Sequence, residues 1–240
     1  MAIPKIIHQT WKTDVIPKRW LKIQQQNIAL SPGFEYRLWT DEAIMEFVSH
    51  KFPALYPSFA RYRYNIMRAD VIRYLLMFEI GGLYLDLDYE LLVPFDVDQA
   101  PVVLPRERSI AFGDGYEGIG NAFFASIPRH PFWHDVIEEL LQNIPKVRDE
   151  YDVAEATGPG LLTRVYYAGR YPDIYVPERI IYHPPSPHTR KGYLAIKKNG
   201  QSQGIHLGWG NWKERFTRKY LERKFFKRRW EAKRAKLVPR

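Results

Sequence analysis

The chain has 240 residues, 45% of them apolar and 26% charged, which allows one sizeable α/β domain with a full core and excludes global disorder. It has no cysteine, which excludes a disulfide scaffold, a thiol nucleophile and a cysteine zinc site, and it fits a reducing compartment. The net charge of +9 is confined to one end: residues 1–210 hold 23 Lys+Arg and 24 Asp+Glu, whereas residues 211–240 hold 13 and 3, so the body is neutral and the tail carries the surplus.

No apolar run reaches the roughly 18 residues that span a bilayer, and the N-terminal Met1-Ala2-Ile3-Pro4-Lys5 shows no signal-peptide pattern. Ile3–Trp11 (IPKIIHQTW) reads as a buried first strand, and Trp20–Leu30 as a helix closed by Ser31-Pro32-Gly33. Phe34–Trp39 alternates as a second strand, and Thr40 or Asp41 caps a helix running to about His50. This β-α-β-α order predicts a mostly parallel sheet.

Asn65–Ile80 is the longest predicted helix. Only Arg73 and Glu79 are charged between Val71 and Ile80, so it is expected to be buried, and Gly81-Gly82 stop it. Leu83–Leu91 (LYLDLDYEL) is predicted as one strand and Pro101–Leu104 as another. Residues 113–120, with four glycines, read as a mobile loop, and Pro131–Asn143 as a helix. Thr157-Gly158-Pro159-Gly160 is a turn within Tyr151–Thr163, residues 182–192 read as loop, and Gly204–Trp212 is short and glycine-rich.

Asp86-Leu87-Asp88 carries the first chemical signal. In an extended strand, Tyr84, Asp86 and Asp88 share one face, with Leu83, Leu85 and Leu87 on the other. Two carboxylates so close resist joint ionisation unless a hard divalent cation such as Mn²⁺ or Mg²⁺ lies between them. The plain alternative is an Asp pair at a solvated strand end. Arg68-x-Asp70-x-x-Arg73 sits at the start of the buried helix; Asp70 and Arg73, three apart, form either a salt bridge or one wall of a cleft. His206, followed by Trp209, Asn211 and Trp212, is either a structural histidine or a ligand reaching back to the metal.

The runs IPKIIHQTW (3–11) and RADVIRYLLMFEIGGLYLDLDYELLVP (68–94) resemble glycosyltransferase family 32, the DXD-containing sugar transferases of yeast mannosylation and bacterial capsules. The family is similar at longer range to the glucosyltransferase domains of clostridial toxins. The likeness runs on through Asn121, Thr157-Gly158-Pro159 and His206–Trp212. It implies a GT-A fold with a Rossmann-like, mostly parallel sheet over residues 1–212, and a retaining, metal-dependent transfer of hexose. The implied donor is GDP-mannose or a UDP-hexose, and the implied acceptor a glycan or a lipid-linked sugar.

Carried onto this chain, the family's pattern implies Asp86, Asp88 and His206 as metal ligands. It implies His8, Thr10, Trp11, Arg68, Asp70, Arg73, Asp86, Asn211 and Trp212 as donor-binding, with Asn211 where the family usually has serine. It implies Asp70, Arg73, Asp88 and Asn121 as catalytic, with Arg73 facing donor hydroxyls or phosphate.

Residues 213–236 are predicted as a basic C-terminal helix. Trp212, Phe216, Tyr220, Phe226 and Trp230 fall within an arc of roughly 120°, interrupted by Lys219 and Arg223. That pattern suits peripheral contact with an anionic membrane at its cytoplasmic face, or packing on the body; nucleic acid is the lesser partner. Leu237-Val238-Pro239-Arg240 reads as the remnant of a thrombin-cleavable tag. The rival functions are a metal-dependent phosphohydrolase, which needs a second acidic cluster, and a nucleic-acid module, which leaves Asp86 and Asp88 unused.

Overall fold

The computed structural model describes residues 2–108, 117–142, 147, 150–187 and 189–209. In chain order the elements are β1 (Ile6–Thr10), α1 (Lys18–Ala29), β2 (Glu35–Trp39), α2 (Asp41–Lys51), α3 (Tyr56–Ala60), α4 (Asn65–Glu79), β3 (Gly82–Leu85), β4 (Tyr89–Leu91) and β5 (Val102–Val103). There follow β6 (Arg106–Arg108), β7 (Glu117–Ile119), β8 (Phe123–Ser126), α5 (Pro131–Gln142), α6 (Glu150–Ala156), α7 (Pro159–Ala168), β9 (Ile174–Tyr175), α8 (Arg179–Tyr182), α9 (Arg190–Lys198) and β10 (Gly204–His206).

Six strands form the central sheet in the order β2-β1-β3-β8-β5-β9. β2, β1 and β3 are parallel, as are β5 and β9; only β8 runs against its neighbours. The sheet is therefore mostly parallel, as expected. Its centre is buried on both faces: Leu83 and Leu85 pack with Ile7, Phe123 and Tyr89 on one side, while Tyr84 and Phe124 pack with Val71, Tyr74 and Trp133 of α4 and α5 on the other.

The α4–β3 corner aims the site. Gly81 and Gly82 adopt φ +73° and +99°, which side chains rarely tolerate. A Cβ on Gly81 would lie 2.7 Å from the Ser126 carbonyl, and one on Gly82 would lie 2.7 Å from the Ile6 carbonyl. The helix thus turns back at once into the sheet centre, leaving the start of α4 beside the far end of β3.

Three expectations are corrected. Leu83–Leu91 is not one strand: Asp86 N–H bonds to the Ala122 carbonyl at 2.9 Å, and Tyr89 N–H bonds to the Asp86 carbonyl at 2.8 Å, so the chain turns at residues 86–89 and leaves the sheet as β4. Part of the expected loop at 113–120 is strand, since Glu117–Ile119 pairs antiparallel with Arg106–Arg108; residues 109–116 lie outside the described residues. The loop expected over 182–192 gives way at Arg190 to α9, whose N-cap Thr189 accepts from Gly192 N–H.

β4 and β10 form a separate antiparallel pair in which His206 lies opposite Tyr89. The pair is clamped from outside by fully buried Glu90, which accepts from Gln26 of α1 and from Tyr193 and Lys197 of α9 at 2.7–2.9 Å.

Candidate metal and donor site

The turn between β3 and β4 places both aspartates at one corner, by a bend rather than by strand alternation. The β4–β10 register then sets His206 over them. Ligand atoms of Asp86, Asp88 and His206 lie within 4.8 Å of one another. His206 Nε2 is 3.4 Å from Asp88 Oδ1, and the other oxygen, Oδ2, accepts the Trp209 N–H at 2.7 Å. The Leu207 N–H bonds to the Asp88 carbonyl at 2.9 Å, tying the two segments by backbone as well.

Asp86 is held from the opposite side. Its Oδ1 accepts the Tyr84 hydroxyl at 3.0 Å, and Thr10 donates to that hydroxyl at 3.1 Å. Arg73 Nη1 is 3.2 Å from the same oxygen, while Arg73 Nη2 is 3.3 Å from Asp70 Oδ1. Asp70 also accepts Asn121 Nδ2 at 2.9 Å and the Thr157 hydroxyl at 3.3 Å, and Tyr74 holds the Thr157 carbonyl at 2.8 Å. This second ring is dry: Arg73 and Asp70 are 4% and 5% exposed, against 23% for Asp86 and 14% for Asp88.

Burial raises the Asp86 carboxyl above its ordinary range, with Arg73 pulling the other way. Asp70 is pushed up to about 7 by burial, and Arg73 limits the rise. Asp88 also feels burial, but the His206 hydrogen bond and the Trp209 N–H outweigh it and hold it low. Burial opposes protonation of His206 too, and Asp88 overrides it, so His206 is raised. Two hard carboxylates, each fixed by a partner outside the trio, and one imidazole fit a divalent cation.

Of the other expected site residues, Thr10 and Asn121 join this network. Trp11 lies beside it, partly exposed, with its ring 4.7 Å from that of Trp20. Arg68 is set apart: its guanidinium bonds to the Tyr62 carbonyl at 2.8 Å and to Asn65 Oδ1. Asn211 and Trp212 lie outside the described residues, as does the tail.

Arg73, expected to face donor hydroxyls or phosphate, bonds from Nε to the Ala69 carbonyl at 2.9 Å and from Nη1 to the Asn121 carbonyl, and its fork pairs with Asp70 and Asp86.

His8, expected among the donor-binding residues, is fully buried in β1, its Nδ1 accepting Trp39 Nε1–H at 3.0 Å and its Nε2 donating to the Gly81 carbonyl at 2.9 Å. Neither nitrogen is left for a ligand. Burial drops His8 from 6.5 to about 4. A depressed histidine favours the fold while neutral, so stability is complete above pH 6.5 and falls as pH drops toward 4. The expected slope approaches 1.4 kcal/mol per pH unit from this one group. Urea titrations at pH 7, 6, 5 and 4 on the wild type and His8→Gln read it; an equal slope in both proteins contradicts the assignment.

Sequence reading alone missed Thr157 as a partner of Asp70, and Tyr84 as a partner of Asp86. Tyr84 had a signal, the shared strand face two residues before Asp86. Thr157 was marked only by the family likeness at Thr157-Gly158-Pro159, and no local pattern pairs it with Asp70, because it arrives from a distant turn.

Residues 17–109 match the glycosyltransferase sugar-binding region containing the DXD motif. The chain thus carries a stretch similar to that family's sugar-binding region, and Asp86-Leu87-Asp88 lies within it. It is 37% identical over 174 residues to inositol phosphoceramide mannosyltransferase 3 of Schizosaccharomyces pombe, covering 70% of this chain and 46% of that protein. It is 36% identical over 170 residues to mannosyl phosphorylinositol ceramide synthase SUR1 of Saccharomyces cerevisiae, covering 68% and 42%. The chain thus spans less than half the length of these relatives. The solved PaToxG glycosyltransferase shares the fold, with a TM-score of 0.54 over 70% of each chain at 18% identity. The chain has the GT-A fold of that neighbour, with Asp86-Leu87-Asp88 inside the matched DXD region.

Proposed function

We propose that the chain transfers mannose from GDP-mannose, ahead of a UDP-hexose, to a lipid-carried polyol acceptor. The observation that carries the reading is the convergence of Asp86, Asp88 and His206 at the end of β3, backed by Arg73. The names of the yeast relatives favour mannose and an inositol-bearing lipid.

Asp86, Asp88 and His206 would hold Mn²⁺ or Mg²⁺, which when bound supplies positive charge to a leaving diphosphate. Arg73 fixes Asp86 and Asp70 while keeping their combined charge from driving them apart. Asp70 and Asn121 form the floor beneath the sugar.

The three carboxylates of the site are each tied to a partner, which argues against a covalent glycosyl–enzyme. Transfer with retention then proceeds on one face of the sugar. The bond from the anomeric carbon to the diphosphate oxygen breaks, the acceptor oxygen bonds to that carbon, and the acceptor proton passes to the released diphosphate. Among the described residues there is one such ligand cluster, which suits a single cation better than the paired metals of a phosphohydrolase. Product NMR after incubation with GDP-mannose and Mn²⁺ tests the reading. An α-linked product supports it; an inverted anomer, or an intact-protein mass increase of one hexose on Asp or Glu, overturns the retaining path.

Trp11 is proposed to stack on the nucleotide base. Base stacking on an aromatic ring is worth about 1–3 kcal/mol, so Trp11→Ala is expected to weaken donor binding roughly tenfold or more with little change in rate at saturating donor. Unchanged donor affinity makes Trp11 a packing residue.

No helix among the described residues is long and apolar enough to cross a membrane. We propose that residues 211–240 instead hold the protein at an anionic membrane surface facing the cytoplasm, since each basic residue there contributes about 1 kcal/mol. Deleting residues 214–240 is expected to abolish sedimentation with phosphatidylserine vesicles at low salt and to spare donor binding. Full-length protein that ignores such vesicles contradicts the proposal.

A further inference from the structure

A cleft lies where the β6–β7 pair meets residues 176–180. It has a volume of about 480 Å³ and is lined by Arg106, Glu117, Val176, Glu178, Arg179 and Ile180. That volume falls in the range of small-molecule sites. The lining holds two cations and two anions. Arg106 and Glu117 are 3.8 Å apart and about 40% exposed, so neither is consumed by the core.

Both walls run directly into the site. Glu117 is four residues before Asn121, whose amide binds Asp70, a span of at most about 14 Å. Ile180 is three residues before His183, whose ring centroid is 5.4 Å from that of His206. Between the walls, Glu107 lies against Gly120, its Oε2 2.9 Å from where a Cβ would be. The wall that ends at His183 also ends on an unmet demand: His183 is 8% exposed, and its buried Nε2 has no hydrogen-bond partner among the described residues.

The chemistry of the lining selects a ligand class. Arginine only donates and ionised glutamate only accepts, so alternating Arg and Glu match groups that do both. Hydroxyls do both. Val176 and Ile180 add an apolar patch for the C–H face of a ring. A free phosphate, by contrast, favours an excess of cations, and here the charges cancel.

We propose that this cleft is the acceptor subsite and that it takes a polyhydroxylated ring, a sugar or a cyclitol. The assignment as acceptor subsite rests on the transferase reading above; the binding of a polyol ring does not.

The test uses the full chain and two free probes, methyl α-D-mannoside and myo-inositol, observed by saturation-transfer NMR. The wild type is expected to bind at least one of them at millimolar concentration. Arg179→Met and Glu178→Gln, both on the cleft rim, are expected to weaken that binding tenfold or more while circular dichroism melting stays within 2–4 °C, about 1 kcal/mol for a chain of this size. Binding of GDP-mannose with Mn²⁺ is followed on the same samples. If the polyol binds through Arg179 and Glu178 but the wild type binds no GDP-mannose, the cleft stands as a polyol site and the transferase reading falls. The proposal is overturned if neither polyol binds the wild type, if both variants bind as the wild type does, or if inorganic phosphate displaces the polyol.

Discussion

Asp88→Asn is expected to lower transfer by about two orders of magnitude or more while leaving the protein folded. A bound cation stabilises a leaving diphosphate by several kcal/mol, and each 1.36 kcal/mol is about tenfold in rate. Asp88 supplies one of the two carboxylates of the cluster, and an amide oxygen is a poor substitute for a charged one. The fold is spared for a specific reason. The structural duty of Asp88 is to accept the Trp209 N–H at 2.7 Å, and an asparagine oxygen accepts that bond equally. The His206 ring loses its anionic neighbour and returns toward an ordinary histidine. Steady-state turnover and thermal melting on one preparation separate the two effects. Normal turnover at unchanged Mn²⁺ demand removes Asp88 from the site; a collapsed melting temperature makes it structural instead.

Arg73→Met is expected to produce the opposite pattern, a large loss of stability. Arg73 lies buried between Asp70 and Asp86, both within 3.3 Å. Removing it strands the buried Asp70 carboxylate and the partly exposed Asp86 without a counter-charge, and breaking a buried ion pair costs about 3–5 kcal/mol. For a chain of this size that is a fall of roughly 6–20 °C in melting temperature. Arg73→Lys is expected to recover only part of it, because one ammonium cannot meet the Ala69 and Asn121 carbonyls and both carboxylates at once. Adding Asp70→Asn to Arg73→Met is expected to restore stability, since it removes one stranded charge. A loss under 1 kcal/mol in Arg73→Met contradicts the buried-charge account.

The sequence made some of this legible and hid the rest for physical reasons. The α4 helix, its glycine stop and the strand after it were readable because a long apolar run and a Gly-Gly pair are strong local punctuation. Thr40 was readable as an N-cap, and its hydroxyl does accept the Ala43 N–H at 3.2 Å. The break of LYLDLDYEL at Asp86–Asp88 was not readable, because a strand that turns and continues alternates just as an unbroken one does. What breaks it is the Ala122 carbonyl, 36 positions away. The β6–β7 hairpin was hidden because Glu117–Ile119 lies in a glycine-rich stretch whose pairing partner is remote. α9 was masked by the prolines at 184, 185 and 187, although Thr189 stands as its cap.

At the site, residue identity was easier to read than role. The Asp86, Asp88 and His206 grouping was anticipated, and the strands bring it together. His8 and Arg73 were expected at the donor, and the partners that hold them come largely from other elements: Trp39 and Gly81 for His8, and Asp86 and Asn121 for Arg73. A side chain's partners across a sheet are set by tertiary packing, and no local pattern encodes them.

The most direct measurement of the central claim is calorimetric titration of GDP-mannose and of UDP-glucose into the full chain, first with Mn²⁺ and then with EDTA. The account predicts binding of at least one nucleotide-sugar with Mn²⁺, lost on chelation and lost in Asp88→Asn. Equal binding in EDTA, or no binding of either nucleotide-sugar with Mn²⁺ present, contradicts the assignment of Asp86, Asp88 and His206 as the metal and diphosphate site.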